Sequence, residues 1–303
     1  MRGRAYQSQT RSGFFINHLK GHYGLARSYW LHSVVFGWVL MYLAGLAVSQ
    51  IAAAGSVRYV SMAVLAFEPF ALLVWLWSTV GTFMSAIKQV FGGEGSRFWA
   101  LAAILSLVLG CIGMIRQLSN LGPALTAHWE VAMGEQPGDS FTLTFRRDRH
   151  ELVFAGGVNE GAAQALDQAV MSALGVVHTV VLDSPGGWMG EGRRMAEVIR
   201  THNLNTHVER DCMSACTLAL LAGHERTADD RARVGFHQAR AIGQDRQRAT
   251  SRHPPGRSRR EEEALYVQAG VSAAFAHQVV NVPFSQMWVP TRQELLDAQV
   301  LTR

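Results

Sequence analysis

The chain has 303 residues, 49% of them hydrophobic and only 17% charged, with a formal net charge of +5. That balance excludes a wholly soluble protein of ordinary make-up, in which charged residues reach about 25%. It also gives no nucleic-acid signature, because much of the positive charge is gathered in an N-terminal leader and one arginine-rich stretch.

Residues 1–32 form a basic leader carrying Arg2, Arg4, Arg11, Lys20 and Arg27. The stretch 33–54, SVVFGWVLMYLAGLAVSQIAAA, has no charge. As a helix it reaches about 33 Å, the thickness of a bilayer's hydrocarbon core. A second apolar run, 59–84, is interrupted by Glu68 and Pro69, and a third covers 98–115, FWALAAILSLVLGCIGMI. A membrane region over 33–117 with three transmembrane helices is predicted. The first run starts too late and is too long for the apolar core of a cleavable signal peptide.

Lys88 and Arg97 flank the second loop, whereas the first loop holds only Arg58. The positive-inside rule then puts the leader and the second loop in the cytoplasm. Three crossings bring the C-terminal half outside, into the periplasm of a Gram-negative cell, so the expected location is a bacterial inner membrane, multi-pass. Glu68–Pro69 reads as a kink whose carboxylate snorkels or faces another helix. If it prevents crossing, the C-terminal half is cytoplasmic.

Residues 118–144 connect, with Gly134, Pro137 and Gly138 as turn formers. From there strands and helices alternate. FTLTF, ELVFAGGV, VHTVVLD, THVER and RARVGF read as strands. NEGAAQALDQAVMSAL, GEGRRMAEVIRTHN and SACTLALLAG carry helical spacing. This order predicts an α/β domain with a mainly parallel sheet. Residues 240–260, with seven arginines and a Pro-Pro-Gly, interrupt it as a polar insertion, and EEEALYVQAGVSAAFAHQVV forms a last helical region.

Three stretches carry chemistry. VVLDSPGG ends a strand in a turn whose glycines let the backbone approach another group and offer N–H donors to an oxyanion. CMSACTLALLAG puts Ser214 at the start of an apolar helix. RVGFHQ puts His237 at a strand end, as a base for that serine. Taken singly, each has a commoner structural reading: a tight turn, a helix N-cap, a solvent-facing histidine. The only lysines, Lys20 and Lys88, lie in the membrane half, which excludes a serine–lysine pair in the C-terminal half. His224, past the helix-ending Gly223, is a rival base. Cys212 and Cys216 bracket Ser214 and read first as small packing residues. Four apart on one helix they stand too far apart for a disulfide, but a bond is open to them if Cys212 precedes the helix in an oxidising compartment. Cys111 falls in the third span.

In this order and spacing the three stretches resemble the proteolytic subunit of the Clp protease and its relatives in the crotonase-like superfamily. The resemblance covers roughly 145–303, from ELVFAGGVNEGAAQALDQAV to TRQELLDAQVLT, and is nearest to membrane-attached or exported Clp-like proteins with a Cys-x-Ser-Ala-Cys core. It implies a β-β-α superhelix-type fold and a serine peptidase working through an acyl-enzyme. Ser214 matches the nucleophile, His237 the general base, and the N–H groups of Gly187 and Ala215 the oxyanion hole. The family's acid falls near Pro283, and no Asp or Glu lies between Glu263 and Glu294. Asn281, two residues away, is the candidate that orients the imidazole. A serine–histidine dyad and an inactive descendant stand beside it, and Asp183 has no assigned role.

The expected partners are a peptide or protein substrate lying extended along the Gly-Gly edge, the membrane, and other copies of the chain. Mutual repulsion of the arginines favours an assembly smaller than a double ring. No cofactor or metal is implied, since no ligand cluster or phosphate loop occurs. The alternative reading is a non-catalytic scaffold that binds extended peptides or partner subunits.

Overall fold

The computed structural model describes residues 13–53, 55–92, 95–242 and 257–303. The leader's Arg2, Arg4 and Arg11 and most of the arginine-rich 240–260 stretch lie outside the described residues. The chain divides into two units, Met1–Ala54 with Met62–Leu125, and Gly55–Ser61 with Thr126–Arg303.

The first unit is helical. A short α1 (Phe14–Leu19) precedes α2 (Arg27–Ala53), α3 (Val57–Gly92) and α4 (Arg97–Ala132). Three stretches, Arg27–Ala53, Val57–Gly92 and Arg97–Ser119, are long and apolar enough to cross a membrane. Helices satisfy every backbone group internally, which lipid demands. The first ten residues of α2, Arg27–Phe36, are π-helical. Glu68 and Pro69 do not break the helix, because α3 continues through both. A proline removes one backbone donor, a loss a long transmembrane helix tolerates. Trp38 is 73% exposed and Ile115 66% exposed, large apolar side chains on the outside of the helical unit. Lys88 Nζ donates to the Lys20 carbonyl at 2.6 Å, tying the chain after α1 to the C-terminal end of α3.

In the second unit α4 runs on to Ala132, so residues 118–132, expected as a connection, are helical. The sheet follows as β1 (Thr142–Arg146), β2 (Glu151–Ala155), β3 (Thr179–Ser184), β4 (Asn205–Met213), β5 (Arg226–Ala228) and β6 (Arg233–Gly235). β1 pairs antiparallel with β2, and every later pairing is parallel, in the order β1-β2-β3-β4-β5 with β6 also on β4. The crossovers are α5 (Ala162–Ser172), α6 (Met189–Thr201) and α7 (Cys216–Leu220). Parallel strands need such helices to return the chain to the same end. The expected α/β alternation is thus present, with its helices against a mainly parallel sheet.

β4 is shared. Its first half, Thr206–Val208, pairs β5, and its last three residues, Asp211–Met213, pair β6. A register shift lies between Leu182 and Ser184 where β3 meets β4. The division sets the ends of β3, β4 and β6 side by side at the C-terminal edge of the sheet, where open parallel sheets hold their ligands.

After β6 come α8 (Arg257–Gln268), α9 (Ala273–Val279) and α10 (Arg292–Asp297). Their apolar residues close the core around Phe236, which is fully buried against Tyr266, Phe275 and Trp288. Burial of a ring of that size contributes about 2–3 kcal/mol. It fixes the residue immediately before His237.

Candidate active site

The three stretches singled out in the sequence meet at this edge. β4 delivers Ser214, which sits between strand and helix at φ 53°. That left-handed conformation is uncommon for a residue other than glycine and costs roughly 1–3 kcal/mol. The turn is held by Ser214 N–H to Gly235 O at 2.8 Å and by two donors on Ser214 O, Thr217 N–H at 3.0 Å and Thr217 Oγ1 at 2.7 Å. The backbone is therefore fixed and the side chain projects from the bend. It does not cap α7, whose N-cap is Ala215 with no side-chain bond.

Ser214 Oγ lies 2.7 Å from His237 Nε2. His237 Nδ1 lies 3.1 Å from the backbone carbonyl of Phe284. A carbonyl only accepts, so Nδ1 carries the proton and Nε2 is left to accept from the serine hydroxyl. Burial holds the His237 pKa below the usual imidazole value; the Phe284 carbonyl opposes this and the Arg240 charge adds to it. The ring is thus neutral, as a base must be, at neutral pH. The rival His224 is exposed, and His237 is the histidine bonded to Ser214.

Asn281 does not orient the imidazole. Its Nδ2 donates to His277 O at 2.7 Å and its Oδ1 accepts from Arg259 at 3.4 Å. The Phe284 carbonyl occupies the place the amide was expected to take. Asn281→Ala should accordingly leave acylation of Ser214 within about threefold of the parent, since no group touching His237 changes. A labelling time course checks this, and a loss of a hundredfold would return the role to Asn281.

The glycine turn lies beside Ser214. Gly186 has φ 97°, and a Cβ there would stand 2.8 Å from the Ser214 Cβ and 3.3 Å from the Ala215 nitrogen. Val158 N–H bonds Gly186 O at 2.8 Å and Trp188 N–H bonds Val158 O at 2.9 Å. In an extended chain the groups of the intervening residue face the other way, so the Gly187 N–H is turned from Val158. Among the described residues neither the Gly187 nor the Ala215 N–H has a hydrogen-bond partner. Asp183, the acid before the turn, is paired with Arg210.

Cys212 and Cys216 form a disulfide, correcting the reading of both as packing thiols. Cys212 ends a strand and Cys216 begins a helix, and the bend at Ser214 brings their Cα atoms to 5.3 Å. The bond closes a short ring around Ser214.

A cleft of about 310 Å³ opens over the serine. Gly187, Trp188 and Met189 line one side and Ala239, Arg240 and Phe284 another, while Val131 at the end of α4 and Gln136 complete it. Gln136 Oε1 accepts from Trp188 Nε1 at 2.9 Å and from Glu160 N–H at 3.2 Å, pinning the connection beside the turn. Sequence reasoning missed both the connection as a wall and the carbonyl of Phe284. A bonded connection carries no residue-type signature, and neither does a main-chain oxygen.

A hydroxyl bonded to a neutral, oriented imidazole, next to two free N–H groups in a cleft, is equipped for acyl transfer. No protein-family model and no curated protein matches the chain. Among solved structures it is similar to ClpP1 from Listeria monocytogenes, with 16% identity and a TM-score of 0.41 over 51% of this chain and 90% of that one. A point mutant of that ClpP1 matches at 17% and 0.39 over the same shares. A mutant of the 1510-N membrane-bound stomatin-specific protease matches at 15% and 0.35 over 48% of this chain and 73% of that one. These likenesses concern the coarse fold alone.

Proposed function

We propose that the protein is a membrane-anchored, Clp-like serine peptidase. Ser214 attacks the peptide carbonyl, His237 Nε2 takes its proton and returns it to the leaving amine, and Gly187 and Ala215 N–H groups receive the oxyanion. Water then releases the acyl group by the same route. The observation that carries this reading is the 2.7 Å contact between Ser214 Oγ and His237 Nε2. Substrates are peptides or proteins read in extended form along the turn edge, and copies of the chain assemble with one another.

The scaffold reading draws on one observation, that a carbonyl rather than a carboxylate faces His237 Nδ1. A carbonyl orients the ring but adds no negative charge to stabilise an imidazolium. Treatment of the detergent-solubilised full-length protein with a fluorophosphonate separates the two. A covalent adduct on Ser214, located by peptide mass, supports the peptidase; absence of labelling under all detergent and peptide conditions favours the scaffold.

We place the site on the periplasmic side of the membrane, a reading with three supports. Arg194 donates to the Gly55 carbonyl, Ser56 bonds Glu160, and Arg58 Nε donates to Ala132 O at 3.0 Å. Residues 55–58 are thereby bonded within the site-bearing unit, which supports placing the first loop with the site. Lys20 precedes and Arg27 opens α2, Lys88 lies near the end of α3 and Arg97 opens α4, positions the positive-inside rule assigns to the cytoplasm. A disulfide persists in an oxidising compartment. A periplasm-dependent phosphatase fused after Arg303 is therefore expected to be active in a bacterial host. Activity from a cytoplasm-dependent reporter alone overturns the three-span arrangement.

A further inference from the structure

The EEE triplet at 261–263 enters the fold as part of α8, and one of its members faces the site. Arg259, Glu262 and Tyr266, three and four residues apart, share one face of that helix. Arg259 Nη2 donates to Gln238 Oε1 at 2.7 Å. The Ala239 N–H donates to both oxygens of Glu262, at 3.0 and 3.1 Å. Tyr266, 3% exposed, is buried on the same face, and the Thr217 hydroxyl beside it opposes the rise in its pKa that burial causes. A single helix therefore grips the strap just after His237 at both Gln238 and Ala239.

Glu262 is 6% exposed. We propose that Glu262 is a positioning residue, whose ionised carboxylate holds the strap carrying His237 and whose protonation loosens it; this rests on the acylation chemistry proposed for Ser214. An ionised carboxylate accepts the Ala239 N–H with either oxygen, while a protonated one turns an acceptor into a donor and weakens a charge-assisted bond. The strap is otherwise fixed on its far side, by Phe236 N–H to Trp288 O at 2.8 Å and Gln238 N–H to Val282 O at 2.9 Å. Ala239 is the next link, two residues from the base.

Burial raises the Glu262 pKa to about 7, opposed by the Ala239 N–H and by the charges of Arg193 and Arg259. The titratable and charged groups that face it are Arg193 on α6 and Arg259 and Tyr266 on α8. Protonation of Glu262 thus falls near neutrality, above the lowered titration of His237. The two groups act in opposite senses on stability. The raised pKa of Glu262 gives a contribution complete below its ordinary value of 4.5 and lost as pH rises through about 7. The lowered pKa of His237 gives one present above 6.5 and lost as pH falls through its folded-state value.

Glu262→Gln in the full-length detergent-solubilised protein isolates the carboxylate. The fluorophosphonate acylation rate of the parent is expected to fall in two steps as pH drops, the first centred near 7 and the second below 6.5. The variant should lack the first step and label about tenfold more slowly at alkaline pH, because the strap is no longer held by charge. Its Ala239 amide should exchange with deuterium faster than the parent's, and the parent's unfolding midpoint should fall relative to the variant's as pH rises from 4.5 to about 7 and level off above that. An unchanged rate profile in the variant overturns the proposal, as does unchanged exchange at Ala239. If the parent takes no label at any pH, the acylation reading itself fails, and the grip of Glu262 on the strap stands or falls on the exchange result alone.

Discussion

Ser214→Ala is expected to abolish fluorophosphonate labelling of the full-length protein while leaving its fold intact. The hydroxyl makes one bond, to His237 Nε2, so its removal should cost about 0.5–1.5 kcal/mol. Alanine at φ 53° is as strained as serine, so no stability returns from the backbone. No thiol stands ready to replace the nucleophile, because Cys212 and Cys216 are bonded to each other. His237→Ala should be equally inactive, and the double variant no worse than either, as members of one catalytic unit are not additive. In-gel fluorescence beside a thermal melt reads both quantities. Undiminished labelling of Ser214→Ala would show the nucleophile to be elsewhere.

Gly187→Ala should be the most damaging change outside that pair. A Cβ at 187 would stand 2.3 Å from the Val158 oxygen and 2.7 Å from its carbonyl carbon. At φ 154° a side chain is also poorly accommodated. The turn must move away from Val158, and the Gly187 N–H loses its aim at the cleft. Loss of one oxyanion donor lowers acylation by about 10²–10³-fold, accompanied by roughly 1–3 kcal/mol of destabilisation. Gly190→Ala is the control: a Cβ there meets nothing within 4 Å. An acylation rate for Gly187→Ala within about threefold of the Gly190→Ala rate would remove Gly187 from the oxyanion role.

Much of this site was legible because its parts have local signatures. A glycine pair after an apolar strand, a serine opening an apolar helix and a histidine ending a strand are each visible over a few residues. What brings them together is the shared pairing of β4 with β5 and β6, and that sets no mark on any residue type. Asn281 was chosen because the search was for a side chain, whereas the imidazole is oriented by main chain. Helical spacing alone sets the two cysteines apart; the disulfide forms because Cys212 precedes the helix, the case the sequence left open, and the left-handed bend at Ser214 makes that spacing irrelevant. Glu68 and Pro69 read as a kink within the second span, and α3 is helical through both. Glu262 was read only as part of a helix start, since burial of one carboxylate among three adjacent ones depends on what packs above it.

The ring closed by Cys212 and Cys216 also acts on the chain before it folds. A cross-link over five residues lowers the conformational entropy of the unfolded ensemble by an amount equivalent to about 2 kcal/mol, on the loop-closure account. That is of the same size as the roughly 1–3 kcal/mol attached to the left-handed conformation of Ser214. With the bond in place, the denatured chain around residue 214 has fewer extended alternatives to give up. The entropy removed by the cross-link then offsets in part the cost of the left-handed conformation at Ser214, and the surrounding sheet has less to supply.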